Sequence, residues 1–105
     1  IVRLEQIYPF PAKRMASVLA ETPQADVVWC QEEPQNMGSW TFVRDYLEDA
    51  MSAAGMTQSR PTYAGRKAAA SPATGSARRH ATEQAALVDA ALDLQKQNIA
   101  AEQRY

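Results

Sequence analysis

Lys13 and Arg14 follow closely on Pro11 in the stretch "QIYPFPAKRM". Pro11 reads as the first residue of a helix, where its missing N–H would have no helical acceptor in any case. A helix start behaves as roughly half a positive charge and disfavours cations. Two added cations there make sense beside an anion. Helix-start N–H groups, an ammonium and a guanidinium together suit a phosphate. Gln6, just ahead of the turn, carries an amide able to read a base edge. Gln6, Lys13 and Arg14 are therefore the candidate site for a phosphorylated nucleotide. The competing reading is two solvated side chains whose stems lie along the surface.

The other chemistry-bearing residues are less promising. His80 is the only histidine and has no Cys or His neighbour at ligand spacing, so a structural or surface place at the start of a helix is expected. Cys30 sits in an apolar run without histidine nearby and reads as a buried, inert thiol. Glu32 and Glu33 are adjacent, so an extended backbone sends them to opposite faces and they make no acid–base pair. "SPATG" lacks the glycines and the Lys-Ser/Thr of a phosphate loop. Trp29, Trp40 and Phe42 read as core or interface.

The elements that must position these residues emerge from the apolar pattern. "IVRL" is a short β-branched strand, followed by a turn at residues 8–11. Met15, Val18 and Leu19 give helical spacing over residues 12–21, ended by Thr22 and Pro23. "ADVVWCQ" is continuously apolar, the pattern of a strand buried on both faces of a parallel sheet. "EEPQNMGS" is a loop. A second helix over residues 40–54 presents Trp40, Val43, Leu47 and Met51 as one stripe, with Gly55 at its left-handed C-cap. "RPTYAG" is a weak third strand, and "RKAAASPATGS" a small-residue loop. A last helix starts near Arg78 and runs past Leu94, with Leu87, Ala91 and Leu94 on one face. The end, "QKQNIAAEQRY", is polar and reads as a helical extension or a frayed tail.

Alternating strands and helices imply an α/β layer structure with a mostly parallel sheet. Function in such sheets sits beyond the carboxyl ends of strands, which selects "EQIYPFPAKR" and "QEEPQNMGSW". Composition is that of an ordinary globular chain: 105 residues, 46% hydrophobic, 22% charged, net charge −1. That balance gives no electrostatic case for nucleic acid or an anionic membrane. No apolar run approaches the roughly 20 residues that span a bilayer. The opening "IVRLEQ" reads as a strand rather than a signal peptide, and an Ile1 start without Met suggests a longer parent chain. One cysteine allows no internal disulfide.

The strings "VRLEQIYPFP", "VVWCQEEPQNMGSWTFV", "YAGRKAAASPATG" and "HATEQAALVDAAL", in this order and spacing, carry a resemblance. Over residues 1–94 the chain resembles the C-terminal end of the first, thiamin-diphosphate-dependent component of the 2-oxoglutarate dehydrogenase complex. "QEEPxNxGxW" and "GRxxxASPATG" are its specific strings. The resemblance implies a three-layer Rossmann-like, transketolase C-terminal-like domain over 1–94, with 95–105 as an extension. It implies an enzyme that decarboxylates 2-oxoglutarate on thiamin diphosphate with magnesium. That enzyme passes the succinyl group to the lipoyl arm of a succinyltransferase partner in the tricarboxylic acid cycle. It implies a homodimer, in the bacterial cytoplasm or, in a eukaryote, the mitochondrial matrix. Cofactor, magnesium and catalytic histidine positions of the family lie upstream, so no catalytic residue is assigned and the chain alone is expected to be inactive. Relatives bind AMP or acetyl-CoA in this domain. The matching glutamine and two basic residues fall on Gln6, Lys13 and Arg14, with Lys13 where arginine is frequent. Two alternatives stand beside this. One is a structural assembly domain whose Lys13 and Arg14 pair with upstream acidic groups. The other is the equivalent domain of a related enzyme acting on 2-oxoadipate.

Overall fold

The computed structural model describes residues 1–70 and 77–92. Its elements are α1 (Ala12–Ala20), β1 (Val28–Cys30), α2 (Trp40–Ala53), β2 (Thr62–Ala64) and α3 (Ala77–Leu92). β1 and β2 form a two-stranded parallel ladder, Val28 opposite Thr62, Trp29 opposite Tyr63 and Cys30 opposite Ala64. The chain is thus a small α/β protein with parallel pairing. Among the described residues, no helix is long and apolar enough to cross a membrane. All of "SPATG", Leu94 and the tail from residue 95 lie outside the described residues.

The chain divides into two compact units. The first comprises Ile1–Val27 and Phe42–Pro61. Here α1 buries Met15 and Leu19, and α2 buries Val43, Leu47, Ala50 and Met51, as the helical spacing requires. α2 ends in a Schellman motif: Met56 N–H donates to Met51 O and Gly55 N–H to Ser52 O, both at 3.1 Å. Gly55 has φ +71, the expected left-handed cap. The Gln58 side chain grips the backbone of Val27, accepting from its N–H at 2.5 Å and donating to its carbonyl at 3.4 Å. Tyr8, Phe42, Tyr46 and Phe10 form a chain of ring contacts 5.1–6.3 Å apart.

The second unit comprises Val28–Thr41 and the chain from Thr62 onward. α3 packs on both strands, with Leu87 buried. All three residues of β2 are buried, whereas β1 is only partly covered. Trp40, at the first position of α2, is 1% exposed and its ring lies 5.5 Å from that of Tyr63.

Three expectations need correction. "IVRL" pairs with no strand among the described residues, because a strand is made by ladder bonds and none reach it. Pro11 is the N-cap of α1, one position earlier than expected: its carbonyl accepts from Met15 N at 2.9 Å, and Ala12 N–H turns back to Phe10 O. "ADVVWCQ" yields a three-residue strand that is not buried on both faces, and Cys30 at its end is exposed. β1 can pair only as far as β2 allows, and β2 is preceded by Pro61, which has no N–H to give.

Candidate functional site

In the second unit, the loops leaving the carboxyl ends of β1 and β2 are stitched together. Gln31, 8% exposed, is the centre. Its amide oxygen accepts from Trp29 Nε1 (2.8 Å) and Trp40 N (2.9 Å). Its nitrogen donates to the carbonyls of Glu33 (3.3 Å), Pro34 (3.0 Å) and Met37 (2.7 Å). One amide thereby saturates both its ends. The Tyr63 hydroxyl, rising from β2, is shared between the carbonyls of Arg66 (2.8 Å) and Glu33 (3.1 Å). Burial pushes the pKa of this phenol up to about 12. Asn36 and Ala69 exchange two bonds of 3.0 Å, and Gln35 N–H donates to Arg66 O at 3.0 Å. Gly38 turns with φ +65, and its bare Cα makes room for the Glu33 side chain.

This clamp places Glu32, Glu33 and Arg66 against His80, Glu83, Gln84 and Leu87 of α3, around a cavity of about 230 Å³. His80 Nε2 lies 3.2 Å from Glu32 Oε1, both side chains about half exposed. Arg66 reaches Glu83 at 3.4 Å, and Arg79 reaches the other oxygen of Glu83 at 3.2 Å. The cavity falls below the roughly 300–1,000 Å³ typical of ligand pockets. Among the described residues, no group of three His, Cys, Asp or Glu side chains converges as a metal set. The arrangement is a network of ion pairs that orders two loops, and it presents no nucleophile–base pair. Cys30 is exposed at the end of β1, yet enough protein surrounds its thiol to push the pKa up, which disfavours the reactive thiolate.

Gln6, Lys13 and Arg14 all belong to the first unit, and all three are exposed. The Gln6 amide nitrogen donates to Pro9 O at 3.5 Å, at the limit of a hydrogen bond. Lys13 and Arg14 stand in the first turn of α1, which contains no acidic residue and has no side-chain cap. Among the described residues, neither cation makes an ion pair. No hydrogen bond joins the three. The residues that build the clamp (Gln31, Asn36, Tyr63 and Arg66) were not singled out by chemical type. Their signal was their place inside the specific strings "QEEPQNMGSW" and "YAGRKAAASPATG".

These features define a small α/β chain with parallel pairing and an ordered loop clamp at the strand ends. The profile of the family "2-oxoglutarate dehydrogenase C-terminal" matches residues 1–92, and the chain belongs to that family. The proteins described as "2-oxoglutarate dehydrogenase E1 component" of Brucella anthropi, Brucella ovis and Brucella suis are each 48% identical to it over 92 residues. That stretch is 88% of this chain and 9% of each relative's length.

Proposed function

We propose that the chain is the C-terminal part of a 2-oxoglutarate dehydrogenase E1 polypeptide, and that Gln6, Lys13 and Arg14 bind a regulatory nucleotide, AMP or acetyl-CoA. The observation that carries the first half is the family match over residues 1–92. In this reading the whole enzyme is a homodimer that decarboxylates 2-oxoglutarate on thiamin diphosphate with magnesium. It hands the succinyl group to the lipoyl arm of its succinyltransferase partner, in the bacterial cytoplasm or a mitochondrial matrix. In this reading the cofactor and magnesium residues lie upstream, and no cofactor residue is assigned to this chain. The complete domain is the three-layer, transketolase C-terminal-like fold, to which β1, β2 and their helices contribute. The relatives' names favour 2-oxoglutarate over 2-oxoadipate as substrate.

The second half is supported by two cations that make no ion pair among the described residues, on an uncapped helix start. A phosphate there would meet the N–H groups of the first turn and both charges. The test is Lys13→Glu with Arg14→Glu in the full-length enzyme, titrated calorimetrically with AMP and acetyl-CoA. Each charge-assisted bond is worth about 1.5–3 kcal/mol, so binding should weaken by at least about a hundredfold. Basal decarboxylation should stay near wild type. Unchanged affinity in a folded variant returns the pair to a solvated surface, and a variant that fails to fold favours the structural-assembly alternative.

A further inference from the structure

Ser17 stands one turn of α1 beyond Lys13 and Arg14. The two cations lie four and three residues before it, the intervals that bring side chains together on one helix face. All three side chains are exposed. The same pattern, two basic residues followed at the fourth and third places by a hydroxyl, recurs at "RRHAT", residues 78–82. There the groups are committed: Arg79 reaches Glu83 at 3.2 Å, and the Thr82 hydroxyl donates to Arg78 O at 3.1 Å. In α1, among the described residues, the Ser17 hydroxyl makes no hydrogen bond, and the first turn holds no acidic residue to occupy the cations. A serine three residues after an arginine is a charge pattern that protein kinases discriminate. α1 has nine residues and no side-chain cap, below the roughly 12–15 residues at which an isolated helix holds in water. Local opening of so short a helix presents Ser17 on an extended chain.

We propose that Ser17 is a phosphorylation site whose phosphate is held by Lys13 and Arg14 and shuts a nucleotide out of them. A serine kinase would transfer the γ-phosphoryl group of ATP. The bond from Ser17 Oγ to phosphorus forms, the bond to the oxygen of the departing ADP breaks, and the hydroxyl proton passes to the base of the kinase. The product carries about −1.5 to −2 charges and three acceptor oxygens, one turn from an ammonium and a guanidinium. The exclusion rests on the reading that Lys13 and Arg14 bind a nucleotide; the modification and the pairing do not.

The test uses the full-length enzyme with phosphoserine installed at Ser17, and the same enzyme purified from its native cells. In a phosphorus NMR titration the phosphate should lose its last proton below the ordinary midpoint of about pH 6. Lys13→Gln with Arg14→Gln should return the midpoint there, and equal midpoints overturn the pairing. Should that double variant not fold, Lys13→Gln alone decides. Calorimetric titration with AMP should show binding at least about tenfold weaker to the phosphorylated enzyme, because both cations are already engaged. Ser17→Ala should bind AMP as the unmodified enzyme does. Equal affinity with and without the phosphate overturns the exclusion. An unmodified enzyme that binds no AMP overturns the nucleotide reading and the exclusion together, while the NMR titration still decides the pairing. Phosphopeptide mass spectrometry of the native enzyme should find phosphate on Ser17. Phosphate elsewhere only, or none, overturns the modification.

Discussion

Gln31 orders its loop through one neutral side chain, and Tyr63 closes the same loop from the next strand. The environment of Tyr63 has a measurable consequence. Its folded pKa is raised to about 12 by burial, above the ordinary value of 10.0. A raised pKa means that the stabilising contribution is complete below the unfolded value. It is lost as pH climbs from the unfolded toward the folded value. Denaturant titrations should therefore show stability falling as pH climbs from 10 toward about 12. Tyr63→Phe should remove that part of the slope. Trp40 gives a second expectation. Its indole is 1% exposed, so Trp40→Ala should destabilise by roughly 3–5 kcal/mol in urea. Its Nε1 has no hydrogen-bond acceptor among the described residues, so Trp40→Phe should cost clearly less. A loss below about 1 kcal/mol for the alanine variant would contradict the burial.

At the scale of elements, two glycines with positive φ separate conformational strain from steric fit. Gly55 caps α2 with nothing within 4 Å of where a Cβ would stand. Gly55→Ala should therefore cost only the left-handed backbone term, about 1–2 kcal/mol. Gly38 has a similar φ, but its Cβ would meet the Glu33 carboxylate and lie 3.0 Å from Glu33 Cβ. Gly38→Ala should lower the melting temperature more than Gly55→Ala; the reverse order would argue against the clamp geometry. The α2 stripe and its cap were legible because periodicity and a C-cap glycine are local signals. β1 was legible only as a place. Its length depends on β2, its ladder partner more than thirty residues on. The exposure of Cys30 was hidden for the same reason, since cover on a strand comes from neighbours remote in sequence. The Lys13–Arg14 anomaly was visible in the sequence and persists in the structure. The clamp was not, because an amide's five partners are fixed by the folded loop rather than by residue type.

At the scale of the whole molecule, the proposed reading places the thiamin chemistry outside this chain. Purified alone with thiamin diphosphate and magnesium, this chain should release no carbon dioxide from 2-oxoglutarate. Turnover above the protein-free background would refute the proposed assignment of that chemistry to other parts of a longer polypeptide. The two compact units have one more consequence, which concerns the order of synthesis. Each unit is assembled from two separated stretches of sequence, and the stretches interleave. A ribosome translating this stretch has supplied every residue of the first unit once Pro61 emerges. β1, translated long before, must then wait for Thr62–Ala64 to acquire its ladder. Such non-local pairing is slow relative to helix formation. The apolar "ADVVWC" segment thus stays without its ladder partner for the whole interval in which α2 is being made, and no single cut in the chain separates the two units from each other.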